Sequence, residues 1–223
     1  MEISPVAYIH TDFKEKFGIP RQSGRVPELM GRIVFEPEYR SADAIRGIED
    51  FSHLWLIFGF SEAKRDRPSL TVRPPRLGGN TRMGVFATRA PFRPNGLGLS
   101  VVKLERVESS PDGNILVVSG VDLLDHTPIY DIKPYIPYAD AHPEAKGSFA
   151  TEQQTHHLDV VFPDALLHLL PVEKRDAVLA CLKDDPRPSY HNDERVYSMN
   201  FAGFEIRFRV NETILTVFEV EKQ

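Results

Sequence analysis

Short runs of alternating apolar and polar side chains recur along this chain, and they predict strands. Residues 5–10 and 31–35 form the first two such runs, separated by a loop around Phe17-Gly18-Ile19-Pro20-Arg21-Gln22-Ser23-Gly24. Residues 41–48 predict a short helix, with Ser41 as its N-cap and Gly47 near its end. Residues 51–60 are apolar and aromatic for most of their length, which predicts a central strand buried on both faces. Further strands are expected at 70–72, 83–88, 97–107, 115–121 and 127–132, with a turn at Pro111-Asp112-Gly113-Asn114. Repeated short strands of this kind specify a mainly β fold, a single-sheet antiparallel β-barrel or strongly curved sheet. No strand leads into a Gly-x-Gly-x-x-Gly turn, so a nucleotide-type ligand would be held by loops.

The pattern changes after about Asp140. A polar stretch over 139–148 predicts a boundary between a β-barrel domain, 1–140, and a small α+β appendage, 141–223. Helices are expected over 164–170 and 172–183, the second opened by Pro171, and both stop before Asp184-Asp185-Pro186-Arg187-Pro188-Ser189-Tyr190. Phe204, Ile206, Phe208 and Val210 then alternate with Glu205, Arg207 and Arg209, and Asn211-Glu212 turns the chain into a partner strand at 214–220. Helical spacing sets the one cysteine, Cys181, beside Ala177 and Val178 as a small core residue.

Composition sharpens this picture in one place. The chain has 223 residues and a net charge of -5, which argues against a generally basic nucleic-acid coat. Yet residues 63–93 hold eight basic residues against one acid, Asp66. Within residues 72–100, five arginines lie among four prolines and five glycines. Proline fixes φ, glycine permits close backbone approach, and arginine offers a permanently charged fork. Such loops suit a defined anionic ligand. No window is long and apolar enough for a membrane span and the N-terminus has no leader pattern, so a cytoplasmic protein is expected.

The common catalytic signatures are absent: there is no Gly-x-Ser-x-Gly elbow, Walker loop or His-Glu-x-x-His. His156-His157 reads as structural, because adjacent strand residues face opposite ways and no ligand cluster completes a metal set. His53 likewise reads as a hydrogen-bonded structural histidine. No metal is expected.

Eight segments occur in register: Gly18-Ile19-Pro20-Arg21-Gln22, His53-Leu54-Trp55, Arg73-Pro74-Pro75-Arg76-Leu77-Gly78-Gly79, Gly84-Val85-Phe86-Ala87-Thr88-Arg89, Arg93-Pro94-Asn95, Gly120-Val121-Asp122-Leu123-Leu124-Asp125, Asp131-Ile132-Lys133-Pro134-Tyr135 and Asp184-Asp185-Pro186-Arg187-Pro188-Ser189-Tyr190. In this order they closely resemble the TrmO (YaeB/TsaA) family of tRNA methyltransferases, over nearly the whole chain. The resemblance implies a homodimeric β-barrel enzyme that uses S-adenosylmethionine to methylate N6 of threonylcarbamoyladenosine, next to the anticodon of threonine tRNA. It implies cofactor contacts at Pro20, Arg21, Gln22, Ser61, Glu62, Arg89, Leu99, Asp122, Leu123, Leu124 and Asp125. The family often has histidine where this chain has Phe60-Ser61-Glu62, so a contact there falls to the backbone.

Each assignment has a chemical rationale. A carboxylate such as Asp122 or Asp125 can accept from a ribose diol, and an arginine suits the cofactor's carboxylate. Turn-capping is the structural alternative for both aspartates. The N6 nitrogen is a poor nucleophile that gains from losing its proton. Asp131 is the candidate for assisting, with Lys133 or an arginine stabilising charge on the carbonyl and Tyr135 stacking on the base. A purely structural Asp131 is the other reading. Arg73, Arg76, Arg82, Arg93 and Arg187 are the candidate tRNA backbone contacts. A noncatalytic RNA- or nucleotide-binding β-barrel module is the alternative function.

Overall fold

The structure, a computed structural model, describes residues 2–63, 69–74, 77, 80–111, 113–150, 157–187 and 195–223. Strands β1 (Ala7–His10), β2 (Met30–Phe35) and β3 (His53–Gly59) precede a two-stranded ribbon of β4 (Thr71–Val72) and β5 (Met83–Gly84). Strands β6 (Leu97–Ser110), β7 (Gly113–Ser119) and β8 (Thr127–Pro134) follow. Six of them pair antiparallel in the order β1-β2-β7-β6-β3-β8, and β8 returns to β1, so the sheet closes into a barrel. Inward positions carry Ile9, Ile33, Leu54, Leu56, Val102, Leu116, Val118 and Ile129, all essentially excluded from solvent. Closing so small a sheet needs local bends, and bulges supply them at Glu105 of β6 and Tyr130 of β8.

The α1 turn (Pro137–Asp140) leaves the barrel, and Asp140 ties it back by accepting from the Trp55 indole at 3.1 Å and the Ile136 amide at 2.8 Å. Beyond it come β9 (Asp159–Val161), α2 (Asp164–Leu167), α3 (Val172–Lys183), β10 (Tyr197–Phe201), β11 (Phe204–Asn211) and β12 (Ile214–Lys222). The sheet order is β10-β11-β12-β9, with β9 parallel to β12. Helix α3 buries Ala177, Val178, Cys181 and Leu182, one stripe of its surface, and burial pushes the Cys181 thiol far above its usual range.

The core of this C-terminal unit is continuous with residues that leave β1. Phe13 meets Phe201 edge-on at 5.3 Å, and Phe17 stacks on Tyr197. Gly18, at φ +96°, lies so close to Met199 that a Cβ would stand 2.5 Å from its sulfur. Lys174 reaches the Asp12 carboxylate at 2.7 Å.

Several elements differ from the sequence pattern for identifiable reasons. Strand β3 is buried on one face only: Leu54, Leu56 and Phe58 fill the barrel, while Trp55 and Ile57 are half-covered outside. A barrel wall has only one interior. The run 83–88 breaks after Gly84 into a 3-10 turn (Val85–Ala87), because only β4 is there to pair with it. The predicted 41–48 helix is a 3-10 turn (Ala42–Ile45) in which Ser41 accepts from the Asp43 amide, and Gly47 at φ +83° ends the segment. The helix expected over 164–170 is a single turn, while β9 and β10 carry no counterpart among the expected strands. Lys64, Arg65, Arg67, Arg76, Asp112, His156, Pro188, Ser189 and Tyr190 lie outside the described residues.

Candidate functional site

Strand β6 outruns β7. Its residues from Lys103 onward pair with β7, whereas Leu97–Val102 pair with β3 alone. The segment after β7 fills the vacated edge. Gly120, at φ +72°, turns it there, and the alternation continues: Val121 and Leu123 are buried, and Asp122 faces the seam. The Ser100 hydroxyl, on the inner face of β6, donates to Asp122 Oδ1 at 2.7 Å. Burial pushes the Asp122 carboxyl above the usual carboxylate range, while the Ser100 hydroxyl, the backbone amides of Asp122 and Ser23, and Arg89 pull it back.

The loop before β2 completes this seam. The Gly24 amide donates to the Gly120 carbonyl at 2.9 Å, a close approach between two glycines in the left-handed region. Gln22 accepts from the Arg89 guanidinium, and Arg21 donates to the backbone carbonyl of Arg187. Pro20 is buried. Lys16, at the loop's start, donates to the Glu62 carbonyl at 2.6 Å, which brings the β3 exit and its Ser61-Glu62 turn to the same end of the barrel. Leu99 lies on the outer face of β6 and is 53% exposed. Gln22, Arg89 and Asp122 therefore meet at the β6–β7 seam; Leu99 lies on the outer face of the same β6 stretch, and the Lys16 contact ties the Ser61-Glu62 turn to the loop that carries Pro20 and Arg21.

Residues 123–125 take a different direction. Leu123 is buried, and its carbonyl accepts from the Thr11 hydroxyl at 3.0 Å. The Leu124 carbonyl accepts from Thr127. Asp125 accepts from the Thr11 amide at 3.0 Å and stands 3.4 Å from His10. The two aspartates diverge: Asp122 serves the seam, and the Asp125 carboxylate clips the chain leaving β1.

Asp131, Lys133 and Tyr135 share the outer face of the barrel. Asp131 pairs across β3 with Ile57, which pairs with Leu99, so these three form one transverse row. Strand spacing puts its ends about 10 Å apart. The Asp131 carboxylate accepts from Lys133 at 3.1 Å, with both side chains about half exposed. The Tyr135 ring lies 5.8 Å from Trp55 and 6.2 Å from His53.

The candidate arginines divide by what their forks touch. Because Val72 pairs with Met83, the exposed Arg73 and Arg82 flank the same end of the β4–β5 ribbon. Arg93 donates to the carbonyls of Val85 at 3.2 Å and Thr88 at 2.7 Å and lies over the Phe86 ring, so it shapes its own loop. Arg187 is only 7% exposed, and its fork is held by Asp185 at 2.9 and 3.0 Å. It does not present that fork to solvent, which sets it apart from the exposed arginines. Ser100 is the seam residue that the sequence pattern does not reveal, and so is Arg25, which braces the loop before β2 through Asp184 at 2.7 Å; a buried serine in an apolar strand and an arginine in a loop carry no distinguishing spacing. Among the described residues no group of three or more metal-ligating side chains occurs, and no helix is long and apolar enough to cross a membrane.

Comparison with known proteins matches nearly the whole chain. Residues 8–141 match the tRNA-methyltransferase O N-terminal domain, and residues 155–223 match the TrmO C-terminal domain. The chain is 41% identical over 229 residues to the tRNA (adenine(37)-N6)-methyltransferase of Escherichia coli strain K12, covering 99% of this chain and 97% of that one. It is 43% identical to a putative S-adenosylmethionine-dependent methyltransferase, RcsF, of Pseudomonas aeruginosa strain PAO1, covering 92% and 91%. A crystal structure of TrmO from P. aeruginosa superposes with a TM-score of 0.82 at 34% identity, over 100% of this chain and 97% of that one. Two domain models in register, a relative matched end to end and a shared fold place this chain in the TrmO family of tRNA methyltransferases.

Proposed function

We propose that this protein transfers the methyl group of S-adenosylmethionine to N6 of threonylcarbamoyladenosine beside the anticodon of threonine tRNA, acting in the cytoplasm as a homodimer. The reading rests on family membership, and the observation that carries its cofactor half is the convergence at the β6–β7 seam. The residues there fit the cofactor. A carboxylate accepts about four hydrogen bonds. Donors from Ser100, Ser23 and Asp122 itself account for three at Asp122, which suits the remaining capacity to a ribose hydroxyl. Arg89, exposed and oriented by Gln22, suits a carboxylate, and the exposed Leu99 suits an apolar ring face. Pro20, Arg21, Gln22, Ser61 and Glu62 offer loop backbone, and Leu123, Leu124 and Asp125 hold the strand end in place. When bound, S-adenosylmethionine supplies an electrophilic methyl group.

The chain's own residues position the nucleophile and move its proton. In-line transfer draws most of its rate from such positioning. Asp131 accepts the N6 proton, Lys133, 3.1 Å from it, stabilises charge on the substrate carbonyl, and Tyr135 stacks on the base. The row Asp131–Ile57–Leu99 supports this assignment, because it sets the proton acceptor on the same barrel wall as the cofactor contact. In this reading the barrel, 1–140, carries the chemistry, and the appendage, 141–223, braces its cofactor loop.

Nucleoside mass spectrometry of tRNA from a strain lacking this protein tests the reaction. The expected result is loss of methylated threonylcarbamoyladenosine with the unmethylated nucleoside retained; an unchanged profile refutes the assignment.

The tRNA backbone contacts fall to Arg73 and Arg82 at the ribbon end, with Arg76 between them in sequence and Arg93, whose fork shapes its own loop, a secondary candidate. Arg73→Ala and Arg82→Ala should each weaken tRNA binding and lower the slope of log affinity against log salt by roughly one. Arg187→Ala, by contrast, should lower stability and leave that slope unchanged. Filter binding across a salt series checks both, and an unchanged slope in the ribbon variants would put the RNA elsewhere.

A further inference from the structure

Among the described residues, four buried polar side chains stand out: Ser100, Ser119, Thr127 and Arg187. Three have local duties. Ser119 donates to Glu105 across the β6 bulge, Thr127 closes a turn on the Leu124 carbonyl, and Arg187 grips Asp185. Ser100 differs. It interrupts the inward stripe that continues through Val102 and Leu104, where a larger apolar side chain would bury more surface. Its hydroxyl leaves that stripe to meet a carboxylate 22 residues away at the seam.

We propose that Ser100 is a positioning residue for cofactor recognition: its hydroxyl fixes the Asp122 carboxylate in the orientation that accepts a ribose hydroxyl. This rests on the assignment of Asp122 to the ribose. Ser100 is only 4% exposed and holds Asp122 Oδ1 from the barrel interior, and the backbone amides of Asp122 and Ser23 take two more acceptor positions, so about one of the carboxylate's four is left for a ligand. Arg89 is the charged group acting on Asp122, and it approaches from the Val85–Arg93 loop. Removing the Ser100 hydroxyl takes away a bond to the charged form. The carboxyl then protonates at higher pH and loses its fixed direction together.

Calorimetric titration with S-adenosylmethionine from pH 5 to 8 tests this on the full chain. Ser100→Ala should bind about tenfold more weakly, the effect of one lost hydrogen bond to a charged group. Its acid limb of binding should move to higher pH. Ser100→Thr, which keeps the hydroxyl, should restore both, and Ser100→Ala combined with Asp122→Asn should bind no more weakly than Asp122→Asn alone. Wild-type affinity and an unshifted acid limb in Ser100→Ala, with Asp122→Asn impaired, would overturn the role of Ser100. Wild-type affinity in Asp122→Asn would instead overturn the ribose assignment beneath it. If the threonine variant does not fold, the acid limb of the alanine variant decides.

Discussion

Asp122→Asn should weaken S-adenosylmethionine binding by roughly 10- to 100-fold while leaving the melting temperature unchanged or slightly raised. The two effects have opposite signs because they draw on the same carboxylate. Burial disfavours its charged form, and the opposing donors do not fully offset that cost, so its folded pKa lies above its unfolded one. A group raised in this way contributes stability below the unfolded carboxylate range, and that contribution is lost as pH rises through the raised folded value. At neutral pH the fold therefore carries an unfavourable ionised group, which asparagine removes without changing shape. Binding suffers because a charged acceptor is worth about 1.5–3 kcal/mol to a hydroxyl donor. Thermal melts at pH 5 and 7 with calorimetry at pH 7 check the pair of effects, and the advantage of asparagine should shrink at the lower pH. A variant that melts several degrees lower yet binds normally would make Asp122 a structural turn residue.

That conflict between stability and binding distinguishes Asp122 from Asp125, and it was not legible in the sequence. Both aspartates flank the same Leu-Leu pair, and both were equally good ribose acceptors or turn caps. Only the register of the barrel separates them, because β7 stops at Ser119 and lets Asp122 reach Ser100, while Asp125 is taken by the Thr11 amide. Ser100 was invisible for the same reason: its meaning depends on where β6 outruns its neighbour.

Local pattern, by contrast, predicted the barrel strands and helix α3 well, since alternation and helical spacing are properties of consecutive residues. It failed at elements whose partner decides their form. Met83 to Thr88 reads as a strand but finds only a two-residue mate, and Tyr197, Met199 and Phe201 alternate with Ser198 and Asn200, a signal short enough to pass for loop. By composition alone the arginine-rich stretch 72–100 reads as an anion-binding loop system, and only the family resemblance divides it between cofactor and RNA. In the structure its arginines do different things: Arg73 and Arg82 are exposed at the ribbon, Arg89 meets Gln22 and acts on Asp122, and Arg93 is engaged by its own loop.

The second large effect concerns the brace behind the cofactor loop. Arg25 lies just beyond Pro20-Arg21-Gln22, and its guanidinium donates to Asp184 Oδ1 through Nε at 2.7 Å and through a second nitrogen. The side chains are 18% and 10% exposed, so this ion pair is largely withdrawn from water. Removing one partner of a buried pair leaves the other charged and desolvated, a cost of about 3–5 kcal/mol. The residual exposure argues for the lower end. Arg25→Ala should therefore lose about 3 kcal/mol, which for a chain of this size is roughly 6–12 °C in melting temperature. Because Gly24 is also tied to Gly120 and Arg21 to the Arg187 carbonyl, the loop should loosen without detaching, and cofactor affinity should fall less than in Asp122→Asn. Arg25→Met combined with Asp184→Leu removes both charges and should regain most of the stability, since hydrophobic replacement of a buried pair is often neutral. It should not regain the cofactor affinity, because the directional hold on the loop is still gone. A double variant that recovers both would mean that packing alone holds the loop, and an Arg25→Ala melt within a degree of wild type would mean that water already screens the pair.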